Sequence, residues 1–115
     1  MRVLVCGGRH YHKPRELAKA LKAMDAETPF TLLIHGGAPG ADSLAGMWAD
    51  KQRIVVAEYK ADWDRLGKSA GMIRNAIMLR HGKPDVVVAF PGGRGTANMV
   101  NISKRAGVKV IEISE

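Results

Sequence analysis

Three apolar, strand-like runs in this 115-residue chain each stop at a pair of glycines. Gly7-Gly8 follows "RVLVC" (2–6) and Gly36-Gly37 follows "FTLLIH" (30–35). Gly92-Gly93 follows "DVVVAF" (85–90), with Pro91 between. Two further runs, "IVVAEY" (54–59) and "VKVIEI" (108–113), complete a set of five. Between them lie stretches with helical spacing, over 14–26, 40–51, 69–81 and from about 96 to 106. Alternating strands and helices predict a parallel sheet covered on both faces, and near-continuous apolar strands are what double burial requires. In such a sheet the glycine pairs all fall on one edge, at the carboxyl ends of the strands. Ligands of open α/β sheets bind along that edge, where the strand order reverses.

The helices carry their own signals. Pro14 suits a first helical turn, and Leu17, Leu21 and Met24 share one face. Ala41, Leu44, Ala45 and Trp48 do the same in the second helix, with Trp48 read as core. In the third, Met72, Ile73, Ala76, Ile77 and Leu79 form a broad apolar arc with Arg74 and Asn75 at its borders. Gly107 is placed to end the fourth. The segment 60–68, "KADWDRLGK", reads as a polar connection.

Glycine after a strand has a chemical use beyond the turn itself. It lets backbone N–H groups approach an anion, and the next helix adds free N–H groups and a positive dipole end. "PGGRGT" (91–96) offers this with Arg94 and Thr96, and "GGAPGAD" (36–42) offers it with Gly40 and Asp42. Each feature also has an ordinary reading. A glycine pair makes a tight turn, Asp42 favours a helix start, and Arg74 sits on the surface. His10 and His12 stand two apart with no third metal ligand in sight, so no metal is expected. His35, at a strand end, is expected to be structural. Trp63, between two aspartates on a polar segment, is a candidate to close over a base or ribose.

Composition narrows the partners. The net charge of +7 and a pI near 9.9 favour anionic ligands, nucleotides or nucleic acid. Aromatic residues are only 5%, few for a base-stacking platform. No apolar run approaches the roughly 20 residues of a membrane span, no signal-peptide pattern opens the chain, and Cys6 is the one cysteine. A cytoplasmic protein of one domain over residues 1–115 is expected, and the apolar surface of the third and fourth helices would support a homodimer.

Four motifs taken together are more specific than any glycine pair: "CGGRHY", "IHGGAPGAD", "ADWDRLGKSAGMIRN" and "AFPGGRGTANMV". In this order they resemble the SLOG superfamily, and more narrowly its small YspA/cpYpsA-related branch. The resemblance implies a Rossmann-like three-layer sandwich with a mostly parallel five-stranded sheet in the order 3-2-1-4-5. It also implies a nucleotide-type ligand over the carboxyl edge, contacting Gly7, Gly8, Arg9, Pro91 and Arg94. Its phosphate would rest on Gly92, Gly93, Gly95 and Thr96. Gly36, Gly37 and Gly40 would form a second wall, with Arg74 and Asn75 reaching in from the third helix. No cofactor is implied.

The superfamily includes lonely-guy phosphoribohydrolases, Smf/DprA DNA-binding proteins and domains proposed to sense nucleotide-derived ligands. The hydrolases carry Pro-Gly-Gly-x-Gly-Thr-x-Glu-Glu, with the first glutamate catalytic. Here Asn98 and Met99 stand at the two glutamates, and Arg74-Asn75 replaces an arginine-lysine pair. Asparagine is not a general base and carries no charge to stabilise an oxocarbenium-like centre. If the chain is an enzyme, Asp42, Asp62, Asp64 and Arg74 are the candidate catalytic residues. Three functions stay open: a nucleotide-binding sensor or sequestering module, an N-glycosidase or ribosyltransferase acting on nucleotides, and a single-stranded DNA-binding protein.

Overall fold

The computed structural model describes residues 1–114. Its elements run β1 (Arg2–Cys6), α1 (Pro14–Glu27), β2 (Leu32–His35), α2 (Ala41–Lys51), β3 (Val56–Glu58), α3 (Trp63–Leu66), α4 (Ala70–Gly82), β4 (Val86–Ala89), α5 (Arg94–Arg105) and β5 (Lys109–Glu112). The five strands form a parallel sheet in the order β3-β2-β1-β4-β5. The fold is the Rossmann-like α/β arrangement expected, and its strand order reverses between β1 and β4.

Side-chain alternation along the strands divides the core in two. Val3, Val5, Leu33, Val86 and Val88 point to one face, where α1 supplies Leu17 and Leu21, and α2 supplies Ala41, Ala45, Trp48 and Ala49. Leu4, Cys6, Ile34, Val87 and Ala89 point to the other, against Met78 of α4 and Met99 and Val100 of α5. The period of two is the geometric signature of the pleat. Both faces of the sheet are covered, as the uninterrupted valines of β4 require.

Three local expectations change. Phe30 does not begin β2: it lies before the strand, buried edge-on against Trp48 with ring centroids 6.1 Å apart. The polar segment 60–68 contains the short helix α3 and a 3-10 turn at Gly67–Ser69. Asp62 starts α3, with Oδ1 accepting from Arg65 N at 3.2 Å and Oδ2 from Arg65 Nε at 2.9 Å. Finally α5 begins at Arg94, two residues earlier than its apolar pattern suggests, because Gly93 takes the N-cap position.

The third helix of the sequence, α4, divides its apolar arc in an informative way. Met72, Ile73, Ala76 and Ile77 face outward, while the buried stripe is Ala70, Asn75, Met78 and Gly82. Small residues at 70 and 82 let the helix sit close to the sheet. Ile34 Cδ1 would lie only 3.1 Å from a Cβ at Gly82. The stripe that packs is therefore narrow, and it carries an amide in place of a hydrocarbon.

This division gives a direct test. Met78→Ala should cost about 2–4 kcal/mol by opening a cavity between α4 and the sheet. Ile77→Ala should change stability by less than about 0.5 kcal/mol. Urea denaturation of the two variants measures both, and equal losses would contradict the assigned face.

Candidate functional site

The loops after β1, β2 and β4 converge on one cleft of about 860 Å³ over the strand-order reversal. Its depth comes from absent side chains. A Cβ at Gly7 would meet Ala41 Cβ at 2.5 Å, and one at Gly8 would meet Pro91 O at 2.9 Å. The backbone of Gly8 ties the loops together: its N–H donates to Pro91 O at 2.9 Å, while its carbonyl accepts from Ala41 N and Tyr11 N, both at 3.2 Å.

The cleft gathers most of the residues singled out in the sequence. Gly7, Gly8, Arg9, Gly36, Gly37, Asp42, Trp63, Arg74, Asn75, Pro91, Gly92, Gly93, Arg94, Gly95 and Thr96 all line it. Gly40, Asp62 and Asp64 do not. Gly40 acts from behind, turning the chain at φ +84° with its α-carbon pressed against the backbone of Gly8 and Arg9. Asp62 is committed to the start of α3, and Asp64 lies exposed on the same short helix. The lining also includes Cys6, His10, His12, Lys13 and Lys60, which their sequence context did not single out as a group. His12 Nδ1 lies 2.6 Å from His10 O, so the histidine pair is held within its own loop.

Backbone N–H groups decide which wall is open to an anion. After β2 they are already engaged: Gly36 N and Ala38 N donate to Asp42 Oδ2 at 3.1 and 3.3 Å, and Gly37 N donates to His35 Nδ1 at 2.9 Å. The N-terminus of α2 thus carries its own carboxylate. α5 differs. Its first turn holds no acidic residue, and the first helical bond recorded there runs from Ala97 N to Gly93 O at 3.0 Å. The N–H groups of Arg94, Gly95 and Thr96 precede that bond and have no acceptor within the helix. A Cβ at Gly93 or Gly95 would meet nothing within 4 Å, so their smallness leaves open space over the helix end.

Charge follows the same asymmetry. Arg9, Lys13, Lys60, Arg74 and Arg94 line the cleft, with Asp42 the one carboxylate among the described lining residues. Asp42 is 6% exposed. Burial raises its pKa, opposed by the Ala38 N–H, His35, Arg74 and the Gly36 N–H. Burial likewise lowers the pKa of Arg74, with Asp42 acting against the shift; a guanidinium stays charged regardless. Cys6 is pushed up to about 12, chiefly by burial and then by Asp42, so it contributes a neutral thiol to the floor.

A polar clamp joins the two sides. Arg74 Nη1 donates to Gly36 O at 2.5 Å, and its Nε donates to Asn75 Oδ1 at 3.0 Å. Asn75 Nδ2 donates in turn to Gly95 O at 3.1 Å and to Asn98 Oδ1 at 3.0 Å. Asn75 is 4% exposed, and these bonds satisfy its amide. Asn98, where the hydrolases of the superfamily carry glutamate, is thus an acceptor in a structural link between α4 and α5. The sequence marks each asparagine as a departure from the hydrolase motif but not their contact, because the partners lie 23 positions apart.

A reversed strand order, three glycine turns on one edge and a cationic cleft between them define a Rossmann-like α/β protein with a cleft at the switch point. The chain belongs to the YspA, cpYpsA-related SLOG family, whose model matches residues 1–66. It is also similar to the Gene 61 protein of Mycobacterium phage D29. The two are 37% identical over 122 residues, covering 99% of this chain and 97% of the phage protein. Among the described residues no helix is long and apolar enough to cross a membrane.

Two outcomes follow from the geometry. Gly40→Ala should lower stability by more than about 2 kcal/mol, since the Cβ adds both a positive-φ penalty and a backbone collision; thermal denaturation measures it. The second concerns His35. Burial lowers its pKa from 6.5, so the folded state prefers the neutral ring that accepts from Gly37 N. Its contribution is fully present above 6.5 and is lost as pH falls through the lowered folded value. His35→Asn keeps an acceptor without a titration, so its urea midpoint should fall less than that of wild type over this window.

Proposed function

We propose that this protein binds a nucleotide or nucleotide-derived small molecule in the cleft, as a sensor or sequestering module. The observation that carries this reading is the open N-terminus of α5. Three helix-end N–H groups without an acceptor in the helix, an arginine and a threonine surround a space kept clear by Gly93 and Gly95, which suits a phosphate. The surrounding cations favour an anionic ligand and would speed its capture. The cleft falls within the roughly 300–1,000 Å³ range of small-ligand sites.

Trp63 supports a base at the other end of the ligand. It is 49% exposed, lines the cleft, and leans on α4 where Gly71 leaves room: a Cβ there would lie 3.2 Å from the indole. An exposed indole beside a cleft offers a stacking face.

The positions of the carboxylates favour binding over glycoside cleavage. Asp62 and Asp64 stand outside the lining, and Asn98 is held by Asn75. Asp42 alone does not provide the pair of carboxyl groups that the usual hydrolytic mechanisms employ.

Titration calorimetry with ribonucleoside 5′-mono- and diphosphates, ADP-ribose and NAD tests the reading. Saturable heat is expected for at least one of them, and none across the panel from folded protein would overturn it. Gly93→Val should weaken the bound nucleotide about tenfold or more, by blocking approach to charge-assisted donors, while the circular dichroism spectrum stays unchanged. Unaltered affinity would remove the phosphate from α5.

A further inference from the structure

Asp42 is an unusual group to find in a cleft that gathers cations. Its Oδ2 is held by two N–H groups of the β2 loop. Its Oδ1 accepts no hydrogen bond among the described residues, and Asp42 forms part of the cleft wall. Asp42 is nearly buried as a residue, yet Oδ1 is not among the fully buried polar atoms without a partner, so it keeps an accessible edge. Capping α2 accounts for Oδ2 and leaves Oδ1 without a partner. An ionised carboxylate accepts only, so what it takes from the cleft is a hydrogen-bond donor. The same charge turns a second phosphate away from this wall.

The donor's place on the ligand follows from connectivity. Ala41, the neighbour of Asp42, donates to Gly8 O, and Gly8 donates to Pro91 O at the edge of the α5 cradle. Asp42 is therefore one loop away from the phosphate position. The part of a nucleotide joined directly to its 5′-phosphate is the sugar, and the sugar's donors are its hydroxyls. We propose that Asp42 Oδ1 accepts a hydrogen bond from the ribose 2′- or 3′-hydroxyl, which makes the protein selective for ribonucleotides with a free sugar diol. The inference rests on the nucleotide reading above and adds the sugar's identity and its orientation: phosphate on α5, diol on the start of α2.

Asp42 is in this role a specificity-determining residue. A hydroxyl bonded to a charged acceptor is worth more than one bonded to a neutral group. Its loss leaves the buried carboxylate facing a hydrocarbon.

The test compares the four ribonucleoside 5′-monophosphates with their 2′,3′-dideoxy counterparts by calorimetry, using the wild-type chain and Asp42→Asn. For any base that binds, the wild type should prefer the ribose form by about 10- to 100-fold. Asp42→Asn preserves shape and offers its oxygen to the same two N–H groups. It should lower that preference about tenfold, by weakening the ribose form while leaving the dideoxy form nearly unchanged. Equal affinity of the two sugar forms for wild type overturns this inference and leaves the nucleotide reading standing. A preference unchanged in the variant, shown to be folded by its thermal transition, removes Asp42 as the cause. Failure of all eight nucleotides to bind overturns the monophosphate-ribose arrangement proposed here, while the diphosphate, ADP-ribose and NAD arms above decide the wider nucleotide reading separately.

Discussion

The backbone of Gly8 holds the carboxyl edge together. Its N–H reaches Pro91 O, and its carbonyl receives Ala41 N and Tyr11 N, so one residue connects the loop after β1 to the β4 loop, to the start of α2 and to its own return. Parallel strands diverge at the reversal of order, and the helices that follow β1 and β4 lie on opposite faces of the sheet. Without a cross-link the loops there have no sheet ladder to align them. Gly8 provides the alignment, and only a residue without a Cβ fits between Pro91 and Gly92. The clamp through Arg74, Asn75 and Asn98 performs the same task from the other side, fixing the β2 loop to the first turns of α5.

Between these two links the protein distributes its backbone donors unequally. The β2 turn directs its N–H groups inward, to Asp42 and His35, which leaves that wall rigid and acceptor-rich. The first N–H groups of α5 precede its first helical bond, and Arg94 and Thr96 line the cleft beside them. Two glycine-rich turns that look alike as text thus have opposite electrostatic character. The difference originates in one residue at each helix start: Asp42 in the first turn of α2, where α5 has only Arg94, Gly95 and Thr96.

Much of the fold was legible because it depends on period and punctuation. Valines in unbroken runs, Pro14 and Gly107 mark elements whose stability is local, and the glycine pairs mark the edge where they lie. What the sequence left hidden depends on contacts between distant positions. Asn75 and Asn98 stand out in the sequence only as departures from the hydrolase motif, and their contact appears when α4 and α5 are placed side by side. On α4, hydrophobicity alone points to Met72, Ile73 and Ile77, yet close approach to the sheet selects Ala70, Met78 and Gly82. Asp62 and Asp64 read as loop carboxylates near the site because α3 is too short to show a period, and its capping pair, Asp62 and Arg65, was the available signal.

The clamp also explains how this site differs from the glutamate-bearing hydrolases it resembles. A lysine at position 75 could donate but not accept, so it would leave Arg74 Nε without its oxygen. A glutamate at 98 could still accept from Asn75, but it would add a second negative charge to a cleft whose one carboxylate is already disfavoured by burial. Asparagine at both positions keeps the two helices linked through neutral groups, and leaves Asp42 as the one carboxylate among the described lining residues. An anionic ligand of the kind proposed above would meet several cations on these walls and a single carboxylate acceptor. The residues that keep this link neutral are the same ones that remove the carboxylate a hydrolytic mechanism would use.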